Sequence, residues 1–437
     1  MTDTLVELHA PKSRSEDRTV ANGLIRNTEL QPTRTEFSLP PVDSGKDAWL
    51  FLAACWVVEA VTFGFGSGNT AAIGSTTMGL LYIATPFVLV VCRLFPRHAR
   101  WFTLLGLVIA SMALVASSFC TTVPQLVVTQ GIMYGLGGCM AYCPCTLYIN
   151  EWFVKRKGMA YGIVWSAAGF GGTVLPLMIE AMLAKLGFQV AVRICAGVLF
   201  AAAAPLSFLV KPRLPIASNP HTRPFSMQFV KSKLFILYQL ANVVEATGYF
   251  LPSIYLPTYA STTLGASGFL STLTIILLNL ATTMGLIIMG TLSDKLPVDS
   301  CMLLSAVGSA TSVLLLWGLA TSLPVLYVFC IFYGLFAGSW ASIWPGIMRE
   351  IAYKADGDGD GRPNYADPVM VQGHLCVGRG VGNMISGPLS GALVQGMPWQ
   401  GKVMGGFGSG YGGLIVYTGV TALVSGANFV INSLKLL

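Results

Sequence analysis

The chain has 437 residues, of which 54% are hydrophobic and 10% are charged, and its formal net charge at pH 7 is +7. Soluble domains carry roughly 25% charged residues, and no water-soluble interior hides so much apolar surface. The basic residues stand between apolar runs and not along one face, which excludes nucleic-acid binding as their purpose. We therefore expect an all-α membrane protein whose partner is the lipid bilayer, with no nucleic-acid partner.

Residues 1–47 are polar and rich in Ser, Thr, Arg and Pro, so we expect a disordered cytoplasmic N-tail. Twelve apolar runs follow, and most have the roughly 20 residues that a helix needs to cross the bilayer. Their predicted limits are 48–66, 71–95, 101–120, 124–149, 158–183, 188–210, 234–259, 269–291, 300–321, 324–348, 372–395 and 411–434. The predicted domains are a first six-helix bundle at 48–211, a cytoplasmic linker at 212–233 and a second six-helix bundle at 234–437.

The two predicted bundles share an internal repeat. Val57-Val-Glu-Ala60 in the first span corresponds to Val243-Val-Glu-Ala246 in the seventh, and each glutamate is the twelfth residue of its predicted span. A repeat of this kind across six plus six helices is typical of pseudo-symmetric secondary transporters.

Loop charge predicts the orientation. Lys and Arg concentrate in the N-tail and the even-numbered loops, whereas the opposite side holds only Lys185, Arg193 and Lys402. Positively charged loops stay in the cytoplasm, so we expect both termini of this multi-pass protein there. We also expect a monomer and a location in the plasma membrane. We call the face of the N-tail and the even-numbered loops the basic side.

Several stretches carry a family resemblance. Trp152-Phe-Val-Lys-Arg-Lys-Gly-Met-Ala-Tyr-Gly162 is similar to the pattern that enters the fifth helix of monocarboxylate transporters. Gly290-Thr-Leu-Ser-Asp-Lys295 is similar to a loop signature of the superfamily that contains them. Leu251–Ala260 and Gly378–Pro388 look like the fungal branch. The chain thus resembles a fungal monocarboxylate-transporter-like member of the major facilitator superfamily.

The resemblance implies the major facilitator fold and proton-linked movement of a small organic solute, for which a monocarboxylate is one candidate. Better-known members carry an Asp and Arg pair in the eighth helix, and the predicted span 269–291 has no charge. The usual proton–lactate chemistry is therefore not expected here.

The first hairpin is shorter than its counterpart in the second half. Twelve positions lead from Glu59 to Ala71, against about two dozen from Glu245 to the next predicted span. Ten helical residues cover about 15 Å, half of the hydrocarbon thickness. We therefore expect a poorly packed first hairpin. A non-transporting membrane sensor, or an inactive truncated transporter that keeps the fold, stays open as the alternative.

Glu59, Glu245 and Arg379 are the candidates for substrate binding or proton coupling. A charge at the bilayer centre costs at least about 2.5 kcal/mol when it faces lipid, so these side chains should face the bundle interior. If the halves are related by a pseudo-two-fold axis, the two glutamates face each other and share a proton. Simple packing of protonated glutamates is the alternative. Arg379 is expected to bind an anion or to extend back to the headgroups.

Asp294 follows the eighth span and is a candidate gating residue. It is expected to bind either the cations Lys155, Arg156 and Lys157 or the positive end of the fifth helix, which would hold the basic side closed. A solvated loop charge is the alternative. Four aromatic residues of the second half are candidates for lining a cavity: Tyr249, Tyr333, Trp340 and Trp344.

The acidic segment from Asp356 to Asp367 has the spacing of a calcium loop, but its twelfth position is Asp and Pro363 interrupts it, which favours a solvated loop. The sequence has no complete phosphate-binding Gly-x-x-x-x-Gly-Lys-Ser/Thr motif, no His-Glu-x-x-His and no Gly-x-Ser-x-Gly. We therefore predict a transporter of a small-molecule solute, not an enzyme, that uses no cofactor or metal.

Overall fold

The computed structural model describes residues 39–67, 71–215, 227–356 and 366–433. These parts are helical and contain no β-strand, which confirms the all-α class. The expected tail disorder at residues 1–38 and most of the acidic segment, residues 357–365, lie outside the described residues.

The described residues form sixteen α-helices. In chain order they are α1 (Lys46–Ser67), α2 (Ala71–Ile83), α3 (Thr85–Leu94), α4 (Pro96–Ser117), α5 (Val123–Leu126), α6 (Tyr134–Trp152), α7 (Lys157–Ser207), α8 (Lys233–Tyr249), α9 (Leu251–Leu264), α10 (Gly268–Ser293), α11 (Val298–Thr311), α12 (Leu323–Ala337), α13 (Trp344–Asp356), α14 (Pro368–Val394), α15 (Gly412–Ser425) and α16 (Ala427–Ser433). Two π-helical segments, Val127–Met133 and Ser312–Trp317, continue α5 and α11.

Ten helical stretches of the described residues are long and apolar enough to cross a membrane. The longest is α7, whose 51 residues would extend roughly 77 Å if straight, more than twice the hydrocarbon thickness. α7 breaks at Gly187, where φ is 78° and ψ is 168°. The indole N–H of Trp152, before α7, donates to the carbonyl oxygen of Lys211, after it, at 3.0 Å. Both ends of α7 therefore lie on one side, and α7 crosses twice.

α14 is a further helix of spanning length. Its 27 residues are enough to cross the bilayer, although Arg379 and several glycines make it less apolar than the other spans. α14 and a second crossing of α7 are the two further spans that the predicted count of twelve requires beyond these ten stretches, and that count stays a prediction.

The two halves of the chain meet along two sets of helices. α7 packs against α10, and α14 packs against α2 and α3. Glycines bring α7 and α10 together, because a Cβ atom at Gly158 would overlap the carbonyl oxygen of Gly290 and one at Gly162 would overlap that of Leu286. The glycine spacing of the fifth span thus serves the contact between the halves.

The middle of α7, around the break at Gly187, lies away from the basic side and is poorly covered. α1 reaches α7 at Gly171, where a Cβ atom would overlap the carbonyl oxygen of Ala60. Beyond that point, none of the residues from 173 to 190 is buried. α1 (Lys46–Ser67) has 22 residues, whereas its counterpart in the second half, α8 together with α9, spans the 32 residues Lys233–Leu264. In the described part of the chain, α1 ends at Ser67, seven residues after Ala60.

Candidate functional site

Side-chain amides of α8 dock this helix on α14. The Nε2 of Gln239 donates to the carbonyl oxygen of His374 at 2.7 Å, and the Nδ2 of Asn242 donates to that of Leu375 at 2.7 Å. Gly378 permits this close approach, since a Cβ atom there would lie 2.6 Å from the Nε2 of Gln239. The docking fixes the register of the two helices.

Arg379 and Glu245 form a buried ion pair next to these amide contacts. The Nη1 of Arg379 donates to the Oε2 of Glu245 at 2.7 Å, and the two side chains are 3% and 7% exposed. The guanidinium carbon lies 4.6 Å from the ring centroid of Tyr249, a cation–π distance. The sequence repeat suggests that the two glutamates share a proton, but the structure gives Glu245 a different neighbour. The register of α8 and α14 brings the Arg379 guanidinium to Glu245.

Glu59 has no such partner. It lies on α1 in the first half and is fully buried. Neither of its carboxylate oxygens has a hydrogen-bond partner among the described residues. Leaving a buried polar group unpaired costs free energy, so an unpaired group of this kind calls for an explanation, such as a functional role or a ligand.

Glu59 borders a cavity of about 90 Å³ that lies between the two halves. Helices of both halves line it, and Arg379 also contributes to its wall. The aromatic members of the wall are Phe63, Tyr82, Trp165, Tyr249 and Phe250. A space of this size holds a few water molecules, whereas organic ligands occupy pockets of about 300–1,000 Å³. The cavity must therefore widen to admit an organic solute.

The four predicted cavity aromatics lie in different places. Tyr249 borders the central cavity. Tyr333 borders a smaller cavity of about 10 Å³ beside Glu245, and its hydroxyl donates to the carbonyl oxygen of Tyr249 at 3.1 Å. Trp340 and Trp344 are buried and border neither of these two cavities.

Sequence reasoning missed the aromatic residues of the first half. Tyr82 and Trp165 line the central cavity, and Trp344 packs edge-on against Trp165 with a centroid distance of 5.4 Å. In an almost wholly apolar span, periodicity does not indicate which face points inward, so the sequence held no signal for them.

Asp294, just after α10, joins the halves on the basic side. Its carboxylate accepts hydrogen bonds from the backbone N–H groups of Gly158 at 2.7 Å and Met159 at 2.9 Å. These groups lie in the first turn of α7, where N–H donors lack helical partners and the helix dipole is positive. Asp294 therefore binds the helix end, the second of its two expected partners.

Asp43 organises the cations that precede α7. Its carboxylate accepts from the backbone N–H groups of Val154, Lys155 and Arg156, each at 3.0 Å. Partial burial raises the pKa of Asp43, but these backbone bonds and the charge of Arg156 outweigh burial and hold the pKa below its ordinary value of 3.8. Lys157 is the first residue of α7. Sequence reasoning missed this contact because Asp43 precedes the first span, far from the fourth loop.

A pair of opposite charges also joins the halves on the same side. Arg93, near the end of α3, pairs with Asp367, the N-cap residue of α14. Nearby in α14, Gln372 accepts a hydrogen bond from the hydroxyl of Tyr161 at 2.8 Å. Together with the Asp294 contact, these bonds join the two halves on the basic side.

Two helical halves around a central cavity with buried charges define a multi-pass membrane transporter. A family model described as Major Facilitator Superfamily matches residues 48–356, more than half of the chain. The chain therefore belongs to the major facilitator superfamily, as the sequence motifs indicated.

Fungal transporters are similar to this chain over most of its length. The MFS-type transporter pynF of Aspergillus niger is 26% identical over 393 residues, which cover 84% of this chain and 86% of that protein. The MFS transporter asaE of Aspergillus flavus is 24% identical over 422 residues, covering 90% and 88%. The aspyridones efflux protein apdF of Emericella nidulans is 24% identical over 387 residues, covering 84% and 76%. The fungal resemblance is confirmed, and the monocarboxylate subtype stays a prediction.

Proposed function

We propose that the chain is a secondary active transporter that moves a small organic solute by alternating access. The observation that carries this proposal is the central cavity between the halves, in which Glu59 offers two carboxylate oxygens that are unpartnered among the described residues. The bonds of Asp294 and the Arg93–Asp367 pair close the cavity on the basic side. Breaking them while the opposite side closes would exchange access from one face to the other.

The proposed orientation places the basic side in the cytoplasm, because loops rich in Lys and Arg remain there. The plasma membrane is the proposed location, and the monomer is the proposed unit. The related apdF is named as an efflux protein, and we extend that direction to this chain as export of an organic product.

Transport is coupled to protons in this proposal, through Glu59. A carboxyl group in a cavity that opens to each face in turn can bind a proton on one side and release it on the other. The titratable groups around it are Cys55 on α1, Tyr82 on α2, Tyr142 on α6, Tyr161 on α7, and Tyr249 and Arg379 across the cavity.

A monocarboxylate is one candidate solute, from the family resemblance. Arg379 is the only cation among the described residues that border the cavity. Its guanidinium is bound by Glu245 at 2.7 Å, so a solute carboxylate would have to replace that bond.

The alternative is a non-transporting sensor or an inactive truncated transporter. The poorly covered middle of α7 and the 22-residue α1 favour it, since α1 is shorter than its 32-residue counterpart Lys233–Leu264 in the second half. A transcript with a dozen or more extra codons near Gly66 would identify this chain as a shortened form.

Proteoliposomes distinguish these functions. Vesicles with the purified protein are given a pH gradient and a mixture of organic acids, amides and amines, and the lumen is analysed by mass spectrometry. Protein-free vesicles and vesicles with a protonophore are the controls. The proposal expects at least one solute to accumulate only with both protein and gradient. Movement of no solute favours the sensor or the inactive form.

A further inference from the structure

The charge balance of the central cavity bears on the class of solute, and this inference rests on the proposed transport function. Glu59 and Arg379 are the charged residues that border the cavity in the described part of the chain. The charge of Arg379 is balanced by Glu245 at 2.7 Å, and Tyr249 covers the guanidinium at 4.6 Å. The cavity therefore presents no unbalanced positive charge, and it is negative whenever Glu59 is ionised.

An anionic solute would meet two obstacles at this site. It would have to compete with Glu245, which the docking of α8 on α14 already holds against Arg379. Displacement would also leave the Glu245 carboxylate buried without a counter-charge, and an uncompensated buried charge is strongly destabilising. When Glu59 is ionised, it repels the anion as well.

A neutral or cationic solute meets neither obstacle. Both oxygens of Glu59 are unpartnered among the described residues and accept hydrogen bonds. Much of the remaining wall is aromatic, including Phe63, Trp165 and Phe250. Aromatic rings stack on flat apolar groups and attract cations through their faces.

We infer that the cavity selects a neutral or cationic organic molecule and rejects free carboxylate anions. The solute class has a flat, apolar body and an O–H, N–H or ammonium donor that binds Glu59. Glu59 is the specificity-determining residue, and Arg379 is a positioning residue that holds Glu245.

The charge of the cavity is measurable without the solute. Single cysteines replace Ala168 in the first half and Ala341 in the second, both of which border the cavity. Each variant reacts in detergent with the trimethylammonium-ethyl, sulfonato-ethyl and hydroxyethyl methanethiosulfonates, which are cationic, anionic and neutral. Each reaction rate is divided by the rate of the same reagent with a small free thiol. The background rate of the parent protein, which carries the native cysteines, is subtracted first. Ser261→Cys, exposed on α9, is the surface control.

At a pH that ionises Glu59, the inference expects the cationic reagent to react at least about tenfold faster than the anionic one at Ala168→Cys and Ala341→Cys, but not at Ser261→Cys. Adding Glu59→Gln should remove most of this ratio. Glu180→Gln, at an exposed glutamate of α7, should leave it unchanged. Faster reaction of the anionic reagent, a ratio insensitive to Glu59→Gln, or no reaction of the neutral reagent at either site would overturn it. Because labelling needs no transport, the ratio of cationic to anionic reaction rates can be measured in a protein that moves no solute. Failure of this inference is therefore distinguishable from failure of the transport proposal.

Discussion

Glu245 on α8 and Arg379 on α14 form an ion pair 2.7 Å long inside the second half, and this pair leaves Glu59 as the unpartnered carboxylate of the central cavity among the described residues. The two glutamates occupy matching positions of the internal repeat, yet their surroundings differ. One belongs to a bond within a single half, and the other faces the space between the halves. From this asymmetry we propose a structural role for Glu245 and proton coupling at Glu59.

Removing Arg379 alone should destabilise the protein. Arg379→Met leaves the Glu245 carboxylate buried without its counter-charge, at an expected cost of about 3–5 kcal/mol. The double variant Arg379→Met with Glu245→Leu should recover most of this loss, because no charge remains buried. The free energies of unfolding of the single and the double variant are measured in mixed micelles with an increasing fraction of denaturing detergent. A double variant as unstable as the single one would show that the pair does not act as a unit.

Removing Asp294 should open the basic side. Asp294→Ala loses the two hydrogen bonds that the charged carboxylate accepts from backbone N–H groups in the first turn of α7. A loss on the order of 2 kcal/mol shifts the equilibrium between closed and open states roughly 30-fold. Spin labels at His98→Cys and Tyr353→Cys, exposed positions in opposite halves, should move apart. Asp47→Ala, an exposed aspartate on the same side, should leave the distance distribution unchanged, and an unchanged distribution in Asp294→Ala would refute the gating role.

The stabilising effect of Asp43 should depend on pH. Its pKa lies below the ordinary value of 3.8 in the folded protein. The ionised form therefore stabilises the fold above pH 3.8, and this contribution is lost as the pH falls through the folded-state pKa. Asp43→Asn keeps a residue that tolerates the φ of 57° at this position.

Thermal unfolding of Asp43→Asn and of the parent protein should therefore differ most at neutral pH. The difference should narrow in acid, below pH 3.8. A difference of constant size across this range would mean that the Asp43 charge is not its cause.

Orientation is testable with two exposed serines. Ser44 precedes α1 on the basic side, and Ser267 precedes α10 on the other side. In intact cells, an impermeant thiol reagent should label Ser267→Cys and should label Ser44→Cys only after permeabilisation. Labelling of Ser44→Cys in intact cells would reverse the proposed orientation.

The sequence predicted the helices better than it predicted their contacts. Apolar length located the spans, and loop charge with glycine spacing located the start of α7. The partner of Glu245 depends on the register between α8 and α14, which the amides of Gln239 and Asn242 set against carbonyl groups more than 130 positions away. Helical periodicity carries no information about such a register. The Arg93–Asp367 pair escaped prediction for the same reason.

The most direct test of the account compares two modes of transport in proteoliposomes, with the solute that the screen identifies. Glu59→Gln keeps an acceptor oxygen but has no titratable proton, so solute counterflow should persist. Accumulation driven by a pH gradient should fall to the level of protein-free vesicles. Glu180→Gln is the matched control and should retain both modes. Gradient-driven accumulation at the full parental level in Glu59→Gln would contradict the account.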